Sequence, residues 1–290
     1  TMTWSIVVII GLSIAIVSLF SISLANTLVG PIKKLEEAVV KIGKGSFGIQ
    51  TNVKSDDEIG VLAENFNQMS RTLKKNTEEL LEKEKMTKEL SIAAEIQQNM
   101  LPKKAPDRDD LDISGSLNPA ATIGGDLYDY LEFSDDRLYI FIADVTGHGV
   151  PAGMIANITH SSLYSFSRVY EKTDDIMRAM NTVIHAKSQP HMFATALLSR
   201  WDRKTRSLHY CNAGHNQILH YQAKTDSTQL VGKGGIALGM TTLADRLLTE
   251  KELQVEPGDT LIFYTDGAPE AWRNKDENLG IDQFSKLVKE

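Results

Sequence analysis

One cysteine, Cys211, occurs in the 290 residues, so no disulfide can form within the chain. It lies in the strand-like run Leu208 to Cys211, where a small buried apolar residue is expected rather than a reactive thiol. A basic excess is also missing: the formal net charge is −7, which gives no reason to expect a nucleic-acid partner. No glycine box of the ATP-binding kind is present, which removes a kinase reading. The sharpest absence is of charge: no charged side chain occurs between Thr1 and Ile32. So long a charge-free run argues against a buried helix of a soluble core. It has no basic residues before it and is too long for the apolar region of a signal peptide.

Residues Trp4 to Leu28 are mostly Ile, Val, Leu, Ser and Ala. A bilayer core needs about 20 apolar residues of helix, and this run is long enough. Trp4 suits an interfacial anchor, and Lys33, Lys34, Lys41 and Lys44 follow the run, which places the downstream side in the cytoplasm. The span starts almost at residue 1, with no room before it for an extracellular sensor. The chain is therefore expected to be a piece of a longer receptor.

Pro31 opens a second helical pattern. Ile32, Leu35, Val39 and Ile42 are spaced 3-4-3, a heptad seam that Gly43 and Gly45 end. After a connector over Ser46 to Asp57, Ile59, Leu62, Phe66, Met69 and Leu73 repeat the spacing. Each helix is too short and too narrowly apolar to stand alone. With Pro31 at the start of the first helix and Asp57-Glu58-Ile59-Gly60 opening the second, the stretch resembles a HAMP domain. That resemblance implies a bacterial membrane receptor, a homodimer with a parallel four-helix bundle, and a signal-transmitting role.

Lys74 to Glu89 is dense in Lys and Glu, with Glu79–Lys83 and Glu84–Lys88 at i,i+4. Extending the seam gives Asn76, Leu80, Lys83, Thr87, Leu90, Ala94, Gln97 and Leu101, a spacer helix or marginal coiled coil that Pro102 stops. Beyond a charged linker the pattern turns mixed. Strands are expected over Leu111 to Leu117, Leu138 to Ala143, Phe193 to Arg200, Leu208 to Cys211, Gln217 to Tyr221 and Leu261 to Thr265. Helices are expected over Pro151 to Tyr170 and Thr173 to Ala186. The short gaps between residues 193 and 221 suggest an antiparallel meander. The fold class is α+β. The expected organisation is a transmembrane helix at 1–28, a HAMP domain at 29–78, a helical linker or coiled coil at 79–102, and a catalytic domain at 103–290.

Three segments set an aspartate beside glycine: Gly124-Gly125-Asp126-Leu127-Tyr128-Asp129, Asp144-Val145-Thr146-Gly147-His148-Gly149, and Thr265-Asp266-Gly267. The last two follow apolar runs, which puts carboxylates where strands end and the backbone turns. A lone Asp-Gly is usually a turn. Three together point to a site for hard cations, which prefer oxygen ligands. Asp144 is the candidate to bridge two ions, Asp266 to hold one, and Asp126 to face the same cleft directly or through water. Asp129 is a weaker candidate. Gly124-Gly125-Asp126 superficially resembles the diguanylate cyclase signature, but Leu127-Tyr128 follow where that family needs an acidic residue and phenylalanine.

Residues from about 90 to 290 resemble the catalytic domain of PPM-type, metal-dependent protein Ser/Thr phosphatases of the bacterial SpoIIE/RsbU-like branch. The matching stretches are Glu95 to Pro102, GGDLYDY at 124–130, ADVTGHGVPAG at 143–153, NAGHN at 212–216, GIALGM at 235–240, and GDTLIFYTDGAPEA at 258–271. The resemblance implies an α/β/β/α sandwich, two Mn²⁺ or Mg²⁺ ions, and direct hydrolysis of phosphoserine or phosphothreonine with no covalent phosphoenzyme. Carried over, Asp144 resembles the bridging ligand with the Val145 carbonyl beside it, Asp266 a ligand of one ion, and Asp126 the acidic residue behind the pair. The family's histidine acid stands two residues after the bridging aspartate. Here Thr146 holds that place and His148 stands four on, so a role in the glycine turn is expected for His148 and a turn or core role for His215. The implied substrate is a phosphorylated regulator such as a STAS-domain anti-sigma antagonist. The implied location is the bacterial cell membrane, crossed once, with the catalytic domain in the cytoplasm. The family's terminal strand and fourth aspartate are not seen after Gly280 to Glu290. The alternative expectation is therefore a weak or inactive phosphatase-like scaffold that recruits a signalling partner.

Overall fold

The computed structural model describes residues 2–119, 122–133, 137–271 and 278–289. They form two compact units, Thr1–Lys88 and Glu89–Glu290.

In the first unit, α1 (Met2–Leu24) runs through a π-helical turn (Ala25–Val29) into α2 (Gly30–Gly43). The helical stretch Trp4–Gly43 is long and apolar enough to cross a membrane, with a mean hydropathy of 2.7 in its most apolar window. The sequence suggested a fresh start at Pro31, but the helix continues. Pro31 lacks an N–H and its ring would press on the carbonyl four residues back. The wider turn just before it, where the Gly30 N–H donates to the Ala25 carbonyl, accommodates the ring without ending the helix.

Leu35 and Ala38 of α2 bury against Ala63 and Phe66 of α3 (Glu58–Met100), with Ile42, Ile49, Val53 and Ile59 around them. Asp57 caps α3: its Oδ1 accepts from Ile59 N at 3.0 Å and Gly60 N at 3.2 Å. Gly60 is required because a Cβ there would collide with the Ser55 carbonyl. Asn67 fixes the connector, accepting from Thr51 N at 2.7 Å and donating to Thr51 O at 3.1 Å. The predicted seam of α3 therefore splits. Ile59 and Phe66 face α2, whereas Leu62, Met69, Leu73 and Leu80 stay exposed at near-heptad spacing. The ion pairs in this stretch include Lys74–Glu78 and Lys75–Glu79.

The second unit stacks two sheets under a pair of helices. The larger has the order β1-β2-β3-β4-β7, built from Leu127–Glu132, Leu138–Val145, Ala194–Asp202, Ser207–Ala213 and Lys251–Gln254. The smaller has the order β6-β5-β8, from Ser227–Val231, Ile218–Gln222 and Thr260–Ile262. Helices α4 (Val150–Phe166) and α5 (Thr173–Lys187) cover the larger sheet, and α6 (Gly280–Leu287) follows late in the chain.

Strand parity sorts the side chains into two cores. Leu127, Leu131, Tyr139, Phe141, Ala143, Val145 and Leu198 pack toward the helices with Ile155, Leu163, Ile176 and Met180. Leu138, Leu197, Trp201, Leu208, Tyr210 and Ile218 form the core between the sheets. Cys211 is fully buried, and burial pushes its thiol up to about 12, consistent with a packing residue.

Three strand readings need correction. Leu111 to Leu117 pairs with no strand; Leu111 and Ile113 pack on the inter-sheet core as a loop, with Trp201 Nε1 donating to Asp110 at 2.8 Å. The meander holds for β3 and β4, but β5 crosses to the other sheet and pairs with β6 and β8. Strand β8 ends at Ile262, so Asp266 sits in the turn beyond it rather than directly at the strand end.

Candidate metal centre

Parity also decides which aspartates can meet. On β1 the odd positions face the helices, so Asp126, just before the strand, shares the inter-sheet side with Tyr130. On β2 too the odd positions face the helices, so Asp144 lies on the inter-sheet side, one residue from the strand end. The third carboxylate arrives from the smaller sheet through the 263–266 segment after β8. Thr265 Oγ1 donates to Asp126 Oδ2 at 2.8 Å, which locks the glycine segment to the Asp266 turn.

Electrostatics register the meeting. Asp144 is pushed from the ordinary aspartate value of 3.8 up to about 7, first by burial, then by its hydrogen bond and charge repulsion with Asp126, and then by the charge of Asp266. Among the described residues, no three His, Cys, Asp or Glu side chains surround one point closely enough to hold an ion by themselves. Any cation bound here would need backbone oxygen or water beside the aspartates. Crowded anions with unrelieved repulsion are the chemistry a divalent cation relieves.

The backbone is shaped to bring the Asp126 and Asp144 segments together. Val145 N donates to Gly125 O at 3.3 Å, and a Cβ at Gly125 would collide with the Val145 carbonyl. Only glycine allows the Asp126 segment to lie this close to the β2 end. Gly147 (φ 91°) and Gly149 (φ 75°) then turn the chain into α4.

The other candidates fall elsewhere. Asp129 has odd parity and is buried against α4, where its Oδ2 lies 2.8 Å from His160 Nε2 and its Oδ1 accepts from Tyr130 N. The structure does not bring it to the cleft; it is a satisfied core carboxylate. His148 is exposed on the turn between β2 and α4.

Four positioning contacts were not anticipated. Thr265 was read only as a neighbour of Asp266. Asn212 accepts from His215 N at 2.8 Å and donates to Gly232 O at 2.8 Å, which fixes the 212–216 loop. Thr195 Oγ1 lies 2.9 Å from His215 Nδ1. Gln97, near the end of α3, grips both sides of Gly124: its Nε2 donates to Gly124 O at 2.8 Å and its Oε1 accepts from Gly124 N at 3.2 Å. Thr265, Asn212 and Gln97 stand in the matching stretches and Thr195 in an expected strand, but only the fold shows what they touch. Removing the Gln97 grip frees the segment leading to Asp126. Gln97→Ala should speed amide exchange over 123–127 by about tenfold, the scale of one or two net hydrogen bonds. Unchanged exchange there would show that the grip is idle.

Residues 134–290 match the family model described as Stage II sporulation protein E (SpoIIE), and residues 23–75 match the HAMP domain. The chain is 29% identical to Protein IcfG of Synechocystis sp. over 288 residues, 89% of this chain and 45% of that protein. It is 27% identical to the phosphoserine phosphatase RsbU of Bacillus subtilis over 202 residues, 70% of this chain and 59% of that protein. The chain spans about half the length of the curated relatives it matches. Among solved structures, the SiaA-PP2C domain of Pseudomonas aeruginosa shares the fold with a TM-score of 0.60 at 20% identity, covering 71% of this chain and 82% of that one.

Proposed function

This chain belongs to the stage II sporulation protein E (SpoIIE) family, and on that premise we propose that it is a membrane-anchored, HAMP-regulated phosphatase acting on phosphoserine and phosphothreonine of a regulatory protein. The observation that carries the reading is the convergence of Asp126, Asp144 and Asp266, which raises Asp144 to about 7. Asp144, with the Val145 carbonyl beside it, would be the ligand shared by two Mn²⁺ or Mg²⁺ ions. Asp266 would hold one ion, and Asp126, oriented by Thr265, would support the pair from behind. When bound, the ions neutralise charge on the phosphoryl oxygens and acidify an attacking water. The protein's share is to bring the carboxylates together and aim them, so that a bound cation would take the place of the proton that crowding favours on Asp144. His148 lies outside this ligand set, on the exposed turn.

The apolar stretch of α1 crosses the bacterial cell membrane once, and the lysines after it keep the phosphatase unit in the cytoplasm. The exposed stripe Leu62, Met69, Leu73 and Leu80 packs on a second copy, giving a homodimer through the HAMP and linker helices. The substrate is a phosphorylated STAS-domain regulator, in keeping with the family resemblance. In detergent, the full chain should release phosphate from a phosphoserine peptide only with Mn²⁺ or Mg²⁺, and EDTA should stop it. Release that persists in EDTA contradicts the reading, and no release under any metal condition favours a scaffold.

A further inference from the structure

Between β4 and β5 the chain passes from the larger sheet to the smaller through residues 214–217. Asn212, itself buried, ties down this loop by accepting from His215 N and donating to the carbonyls of His215 at 3.1 Å and Gly232 at 2.8 Å. Gly214 (φ 70°) bridges to Ala196 on β3. A loop held at so many points fixes the direction of the next side chain, His215, which is 8% exposed.

The His215 ring stands between two ligand segments. On one side its Nδ1 lies 2.9 Å from Thr195 Oγ1. Thr195 is the register partner of Asp144 across β2 and β3, and its Oγ1 reaches the Asp144 carbonyl at 3.4 Å. On the other side the ring faces the Tyr264 carbonyl and the Asp266 carboxylate. Asn216 Nδ2 makes a parallel tie to the Tyr264 carbonyl at 3.4 Å. One polar atom is left over: His215 Nε2 is buried and no group, the Tyr264 carbonyl included, meets it with hydrogen-bond geometry. An orphaned buried nitrogen is costly and requires an explanation.

We propose that His215 is a positioning residue of the cation site, its ring spacing the Asp144 strand end from the Asp266 turn and its Nε2 finding a partner in a water molecule that accompanies the cation. This rests on the cation-site reading above and adds a group behind the carboxylates. Outer groups of this kind orient metal ligands without touching the metal.

The test is Mn²⁺ binding by the full chain in detergent, read from the paramagnetic resonance of free Mn²⁺. His215→Ala should weaken affinity about 10–100-fold, the scale of outer-group losses. His215→Gln, which restores a polar atom near the Nε2 position, should recover part of it, and the Mn²⁺ concentration needed for phosphate release should move in step. Thr195→Val keeps the ring but removes its hydroxyl partner, and should weaken affinity several-fold even where His215→Ala fails to fold. Unchanged Mn²⁺ affinity in folded His215→Ala or in Thr195→Val overturns the proposal alone. Absence of Mn²⁺ binding by the unaltered chain overturns the cation site with it.

Discussion

Asp144→Asn should lose about a thousandfold in phosphate release and yet melt at a higher temperature than the unaltered chain when both are stripped of metal. The loss follows from removing the proposed bridging ligand, a contribution of several kcal/mol to charge stabilisation. The gain follows from the direction of the Asp144 shift. A carboxyl whose folded value lies above its unfolded value weakens the fold once pH passes the unfolded value, and the penalty grows until pH reaches the folded value. With 3.8 rising to about 7, the window runs from near pH 4 to near pH 7. At face value the displacement is about 4 kcal/mol. Half-exposure and screening reduce it to about 1–2 kcal/mol, a few degrees in a domain of this size. The two proteins should melt together near pH 4 and separate toward pH 7. Saturating Mn²⁺ should reverse the order, because binding stabilises the unaltered chain far more, by about 2.7 kcal/mol at one hundred times its Kd. Melting curves in EDTA and in Mn²⁺ at several pH values read all of this. A lower melting point for Asp144→Asn in EDTA at pH 7 would show that the carboxylates do not repel as described.

The second large effect is Gly125→Ala. The added methyl collides with the Val145 carbonyl, so the β2 end and the Asp126 segment must move apart. Overpacking of this kind costs about 1–3 kcal/mol of stability. Misplacing reacting groups by about 1 Å costs on the order of a hundredfold in rate, and that is the expected loss. The neighbouring Gly124→Ala is the control. A Cβ there meets nothing closer than Pro119 Cβ at 3.6 Å, an ordinary contact, so activity should stay within about twofold. Equal behaviour of the two alanine variants in phosphate release would remove the close approach of Gly125 and Val145 from the account.

The residues that spoke clearly in the sequence did so through local pattern. Strand β2 is apolar on both faces and was legible, as was the turn after it, because Gly147 and Gly149 permit backbone that few residues adopt. Strand β1 was missed because Asp129 interrupts its apolar face; His160, 31 residues away, satisfies that carboxylate and cannot be seen locally. Strands β6 and β7 (Ser227–Val231 and Lys251–Gln254) are polar edge strands with little hydrophobic signal. The crossing of β5 was invisible because a strand's sequence states its faces, not its partner. At the site, the three aspartates were legible from their glycines. Their separation from Asp129 was not, since it depends on which parity of β1 faces the helices. Thr265, Thr195, Asn212 and Gln97 act through contacts spanning from 3 to 139 residues, and only the longest-range of them join the carboxylate segments.

Asp126, Asp144 and Asp266 are proposed to form one site for two divalent cations. The most direct test is the number of Mn²⁺ ions bound per chain at neutral pH, measured by equilibrium titration of the full chain beside Asp144→Asn. The account predicts two ions for the unaltered chain and at most one, weakly held, for Asp144→Asn. Equal binding by the two proteins, or none by either, would contradict it.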